Sequence, residues 1–227
     1  MAKKKKSVAV LKTLSARFDG KEEAKVSDFE EVLVKSKERV KQHGEVFTPA
    51  NIVNDMLDLV PQMRIEGDLH SLEEKLSYTV LEPTCGNGNF LIEILNRKLK
   101  VAFSLPKDDL TINILKAVST IYGVDIQQDN VIEARERLLQ HLIKACKDIG
   151  LTEDLVKGVK HILGCNIVWG NTLQYITLEG GATSPLIIYD WGFISTDGDI
   201  KIIKQASYLS DLDTVVYSDE TYLSKIA

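Results

Sequence analysis

Apolar side chains recur along the chain in two rhythms. Over residues 22–42, Val26, Phe29, Val32, Leu33 and Val40 fall at roughly helical spacing among many charges, and Ser27 followed by Glu30 fits a capping box. Gly44 stops that helix. Thr48-Pro49 predicts another, with Thr48 as N-cap and Pro49 at the first helical position. Its apolar side is Ile52, Val53, Met56, Leu57 and Val60, and Pro61 ends it. Further on, short apolar runs alternate with helical stretches. Residues 76–81, 121–126, 165–169 and 186–189 read as four strands. Between them lie a helix beginning near Phe90, one over residues 111–120, and a long amphipathic one over residues 129–149. Short apolar strands separated by helices predict a parallel sheet with covered faces. The rhythm then changes: Asp197-Gly198, flanked by apolar residues within 193–205, predicts a hairpin. The expected organisation is a basic, helical N-terminal extension over residues 1–44, an α/β core over 45–193, and a C-terminal hairpin with an acidic tail over 194–227.

Composition narrows the class without changing this picture. The chain has 227 residues, 44% hydrophobic and 27% charged, which is ordinary for a globular protein. It has no apolar run of 18 residues and no secretory signal pattern, so we expect a protein that is not membrane-inserted and is cytoplasmic. Cys85, Cys146 and Cys165 form no CxxC pair and no disulfide framework. His43, His70, His141 and His161 are scattered without metal-ligand spacing, so no metal site is expected. The formal net charge of −5 argues against free-standing, non-specific DNA binding. That charge is uneven, because residues 1–44 hold 12 Lys and Arg against 7 Asp and Glu. A basic arm can touch nucleic acid although the body is acidic.

The candidate chemistry lies after the first predicted strand. Gly86 and Gly88, just before a helix, let backbone amides approach a ligand, and the helix N-terminus adds partial positive charge. Glu82 before this loop suits a ligand carrying an ammonium better than a pyrophosphate. Asp125 closes the second strand, where a carboxylate can accept ribose hydroxyls, and Ile126 beside it can cover an adenine face. Each residue also has a plainer role open to it. Phe47 can staple a helix start, Asp125 can cap a helix, and Asn171 can turn the chain. Cys85 in the loop has no partner that marks a nucleophile and reads as a packing residue.

Three blocks in order carry a resemblance: residues 44–49 (Gly-Glu-Val-Phe-Thr-Pro), 81–91 (Leu-Glu-Pro-Thr-Cys-Gly-Asn-Gly-Asn-Phe-Leu) and 122–126 (Tyr-Gly-Val-Asp-Ile). They look like the successive motifs of N6-adenine DNA methyltransferases of restriction–modification systems, including type I modification subunits. The resemblance implies a Rossmann-like class I S-adenosylmethionine-dependent fold and an S-adenosylmethionine pocket. In that pocket Phe47 and Thr48 would line the methionine end, and Glu82 would face the ammonium, with Gly86 and Gly88 giving access. Asp125 would hold the ribose, Ile126 would pack on the adenine, and Asn171 would accept from the adenine amino group. It also implies DNA as partner, with specificity supplied by another subunit or by self-association.

The catalytic block departs from the family. The family places Asp or Asn, two prolines and an aromatic residue at the end of the fourth strand, where they hold and stack the flipped adenine. Here the corresponding stretch is Tyr189-Asp190-Trp191-Gly192-Phe193, so Asp190 takes the acceptor position and Phe193 the aromatic one. Glycine loosens a backbone that proline would fix. The plainer alternative is a core strand ending in an ordinary turn. With only 34 residues after Phe193, the sheet is expected to be incomplete, with an edge that needs a partner.

Overall fold

The computed structural model describes residues 33–64, 70–181 and 183–226. The capping box expected at Ser27 and Glu30 lies outside them. The first described helix, α1 (Lys37–His43), begins at Ser36, whose hydroxyl accepts from the Arg39 amide, and stops at Gly44 with φ +64°. Helix α2 (Ala50–Asp58) starts one residue later than expected, with Pro49 rather than Thr48 at the N-cap. It buries Val53 and Leu57. The run 76–81 is not one strand. Leu76 belongs to a short helix, α3 (Leu72–Ser77), closed by a complete capping box between Ser71 and Glu74, and only β1 (Val80–Glu82) is extended.

The core elements follow in order: α4 (Asn89–Ser104), α5 (Leu110–Ser119), β2 (Ile121–Asp125), α6 (Gln128–Ala145), α7 (Glu153–Asn166) and β3 (Ile167–Asn171). Helix α7 takes up the first two residues of the expected third strand. Its N-cap Thr152 accepts from the Leu155 amide, and Leu155, Val159, Ile162 and Leu163 form its buried face. Strands β1, β2 and β3 are parallel neighbours, and every residue of β2 is buried. Two short antiparallel strands, β4 (Ile176–Thr177) and β5 (Ser184–Pro185), extend the β3 side. Among the described residues β1 pairs only with β2, so its outer edge carries no strand.

The fourth expected strand corrects the reading of a parallel sheet throughout. Residues 187–196 form β6 (Ile187–Thr196) of a separate antiparallel sheet with β7 (Asp199–Tyr208) and β8 (Asp211–Tyr222). The Asp197-Gly198 turn, with Gly198 at φ +86°, closes β6 onto β7 in register from Thr196↔Asp199 to Ile187↔Tyr208. A two-residue turn brings in an antiparallel partner at small entropic cost, whereas a parallel pairing needs a long crossover. The local partner therefore takes the strand, and the acidic tail becomes β8. The fold is mixed α/β with parallel and antiparallel pairing.

Several polar groups inside the core are paired. Asn166, 1% exposed, donates to the carbonyls of Ser119 and Ile121 and accepts from the Trp191 indole, which fastens the second sheet to α5, α7 and β2. The Tyr122 hydroxyl donates to the Tyr189 carbonyl. Arg97 on α4 reaches Glu93, Asp58, Asn54 and the Met63 carbonyl, which ties α2 to the core. Lys98, 1% exposed, donates to the carbonyls of Lys75, Leu76 and Tyr78 at the end of α3.

Burial pulls the Lys98 ammonium down to about 7 from its ordinary 10.5. Between those values the unfolded chain holds a proton that the folded chain has released, so this group makes stability rise with pH across that window. Relative to Lys98→Met, the wild type should gain stability between about pH 7 and pH 10. Urea unfolding of both proteins at the two pH values measures that difference.

Candidate cofactor site

Three polar residues end three adjacent parallel strands: Glu82 closes β1, Asp125 closes β2 and Asn171 closes β3. Glu82 is in register with Gly123 and Asp125 with Trp169, so each strand runs two residues past its neighbour. The three side chains therefore lie on one face along a stepped rim at the carboxyl ends, where open α/β sheets take ligands. The loop leaving β1 folds over this rim. Gly86 has φ +53° and Gly88 φ +90°, a region of backbone conformation that glycine enters at no steric cost. Side chains are also excluded by contact. A Cβ on Gly86 would lie 3.0 Å from the Phe47 ring, and one on Gly88 would lie 3.1 Å from the Ala134 Cβ.

Asp125 holds the loop. Its Oδ2 accepts from the Gly86 amide at 2.8 Å. Its Oδ1 accepts from the Gln127 amide at 2.8 Å and from the Asn130 side chain at 3.2 Å. The helix-cap role thus falls on this carboxylate. A carboxylate has about four acceptor positions, and three are taken, so one is left for a further donor.

Glu82 is different. Among the described residues its carboxylate accepts only from Thr84, at 3.4 and 3.5 Å, and burial raises its pKa. A partly buried carboxylate with such long contacts suits an incoming cation. Ile126 is 50% exposed beside the rim, while its carbonyl accepts from the Trp169 indole at 2.9 Å. Asn171 turns inward on its own 3-10 turn, exchanging bonds with Gln174, and the Thr172 hydroxyl beside it donates to the Pro83 carbonyl. Cys85 is buried, and desolvation pushes its thiol up, which suits packing and not nucleophilic attack.

The segment before α2 closes the rim from above. Phe47 is 5% exposed against Gly86, its amide donates to the Leu33 carbonyl, and the Thr48 carbonyl accepts from Asn89 at 3.0 Å. Phe47, Thr48, Gly86, Gly88 and Asp125 are therefore brought together as the sequence pattern implied. Asp190 and Phe193 are not brought to that rim. They lie three residues apart on β6, and since strand side chains alternate, they point to opposite faces of the second sheet. Phe193 packs on the core, and the Asp190 carboxylate accepts from the Trp191 amide.

A model of the N-6 DNA Methylase family matches residues 22–170. The chain belongs to that family. The match spans well over half the chain, covers Glu82, the glycine loop and Asp125, ends at Gly170 just short of Asn171, and stops before β6. No curated protein and no solved structure matches the chain. Among the described residues no three His, Cys, Asp or Glu side chains gather as metal ligands would, and no helix is long and apolar enough to cross a membrane.

Sequence reasoning missed the polar face of α6. Asp129, Asn130, Glu133 and Arg137 follow one another at helical spacing, and every one of them bonds to the rim or to the segment above it. Their spacing was visible, but their targets were not.

Gly88→Ala should cost about 2–4 kcal/mol, because a left-handed backbone and an immovable Ala134 neighbour act together. Gly44→Ala, also left-handed but facing open space, should cost only about 1 kcal/mol. Urea midpoints of the two variants measure the contrast.

Proposed function

We propose that this chain is the S-adenosylmethionine-binding core of a methyltransferase that modifies the N6 amino group of adenine in DNA, with a Rossmann-like class I topology over its parallel strands. The observation that supports it is the set of three polar strand ends around a glycine loop, with Glu82, the loop and Asp125 inside the family match and Asn171 next to its end. Bound S-adenosylmethionine supplies an electrophilic methyl group on a sulfonium.

The residues fit such a ligand. Asn87 in the loop is 4% exposed, and its Oδ1 has no hydrogen-bond partner among the described residues, while its amide nitrogen reaches Glu133 at 3.3 Å. That bond to a carboxylate fixes the amide's orientation and leaves an acceptor free for a ligand donor. Glu82 would hold the ammonium, and the one free acceptor position of Asp125 a ribose hydroxyl. Gly86 and Gly88 keep the floor open, Ile126 offers an apolar surface to the adenine, and Phe47 and Thr48 shut out water.

The partner in this reading is duplex DNA, with sequence specificity supplied by another subunit or a second copy, as in restriction–modification enzymes. Asp190 would accept from the target amine and Phe193 would stack on the base, once β6 is rearranged by DNA or partner. A second reading is favoured by the opposite facing of those two residues: a module that binds cofactor and leaves the target base to a partner.

Calorimetric titration with S-adenosylhomocysteine tests the pocket. Glu82→Gln should weaken binding by roughly tenfold or more, since it removes a charge-assisted contact. The free variant should be at least as stable as wild type, because it relieves a partly buried charge. Asp125→Ala is the poorer probe: it leaves the Gly86 and Gln127 amides without an acceptor and should cost about 2–3 kcal/mol of folding stability. An absence of binding by the folded wild type would overturn the cofactor reading.

Transfer of labelled methyl groups to duplex DNA then separates the two readings. Adenine methylation lost in Asp190→Ala supports catalysis by this chain. Cofactor binding without any transfer supports the module.

A further inference from the structure

The polar stripe of α6 connects three separate pieces of chain. Asp129, Glu133 and Arg137 are spaced four apart, so they stack on one helix face, with Asn130 beside them. Arg137 donates to the Asn87 carbonyl at 2.6 Å and to the Asn89 Oδ1 at 3.0 Å. Asn89 in turn donates to the Thr48 carbonyl at 3.0 Å, so one guanidinium grips the glycine loop directly and the Thr48 segment through a single relay. One turn earlier, Glu133 accepts from the Asn87 side chain at 3.3 Å and pairs with Lys35 at 2.7 Å. Lys35 and Arg39 both reach Asp129, at 3.0 and 2.5 Å, and Arg39 also pairs with Glu45. These groups meet where the backbone is left-handed and cannot rely on regular hydrogen bonding for its shape.

We propose that Arg137, supported by Glu133, is a positioning residue that fixes the glycine loop and the Thr48 segment in one arrangement and thereby sets cofactor affinity. The inference rests on the reading of this loop as the S-adenosylmethionine site. Arg137 touches backbone and Asn89, so it acts through the groups it holds. A planar fork with five donors suits this task, because it bonds a carbonyl and an amide oxygen together. Burial lowers the Arg137 pKa, while the Glu133 charge acts in the opposite direction. Removing the arginine would leave the Asn87 carbonyl and Asn89 unheld and the loop free to sample other shapes, and a ligand that binds one shape loses affinity in proportion.

The test pairs amide hydrogen exchange with S-adenosylhomocysteine titration. The proteins are the wild type, Arg137→Gln, Arg137→Lys, Asn89→Ala and a control, Gln140→Ala, whose side chain donates to Glu136 on the same helix. In Arg137→Gln and Asn89→Ala, exchange at residues 86–89 should quicken roughly tenfold or more while the amides of β2 stay protected, and affinity should fall by a similar factor. Arg137→Lys should recover part of both effects, and Gln140→Ala should show neither. Wild-type exchange and affinity in folded Arg137→Gln would overturn the proposal. If that variant does not fold, unchanged behaviour of Asn89→Ala overturns it equally. Failure of the wild type to bind would instead sink the cofactor reading, and the exchange arm would still decide whether Arg137 holds the loop.

Discussion

The carboxylate of Asp125 is the constraint on which the rest of the rim depends. It stands at the end of a wholly buried strand, next to the N-terminus of α6, where a negative charge is favoured by the helix dipole. Three donors converge on it from the loop after β1, the turn after β2 and the first turn of α6, so these pieces hold one another. Only with Gly86 fixed in this way does its bare Cα offer the flat seat that Phe47 covers. Only with Phe47 seated do the ion pairs above it come within reach of α6. Removing this one group would loosen each layer in turn.

Much of this was legible in the sequence, and the exceptions have physical causes. The β2 strand, the helices around it and the Asp197-Gly198 hairpin follow from periodicity and turn chemistry. The order of the three motif blocks placed Phe47, Thr48, Gly86, Gly88 and Asp125 together. Leu76 was misplaced because a short buried helix and a strand share an apolar run, although Ser71 and Glu74 carried the capping signal. Helix α7 escaped notice because its charged residues interrupt the apolar face, whose burial depends on neighbours distant in sequence. The partner of β6 could not be read from its own residues, since an apolar strand accepts either pairing and the nearby turn decided it. The α6 stripe looked like a solvated helix face, and only folding revealed the loop carbonyls opposite it.

The two sheets divide the molecule by how they are held. The parallel strands are locked by glycine turns and a buried carboxylate, while the antiparallel sheet leans on α5 and α7 through aromatic packing and the Asn166 junction. Lys204 on β7 lies over the Tyr189 and Trp191 rings, and the Tyr217 hydroxyl meets that of Tyr189. Those contacts tie the three strands of this sheet to one another. The family match covers the first sheet's parallel strands up to Gly170 and ends before the second sheet, so the part that the family model matches is the part that holds the glycine turns and the Asp125 carboxylate.

The outer strand β8 has a consequence for how copies of this chain behave together. It is long and exposes Leu212, Val215, Val216 and Tyr217, yet it also carries Asp211, Asp213, Asp219 and Glu220 with no lysine or arginine among them. Two such edges meeting antiparallel about Val215 and Val216 would set Asp211 against Glu220, whose own partner is Lys201 at 2.6 Å, and like charges directly opposite oppose pairing. The acidic tail thus serves as a self-avoidance device at neutral pH.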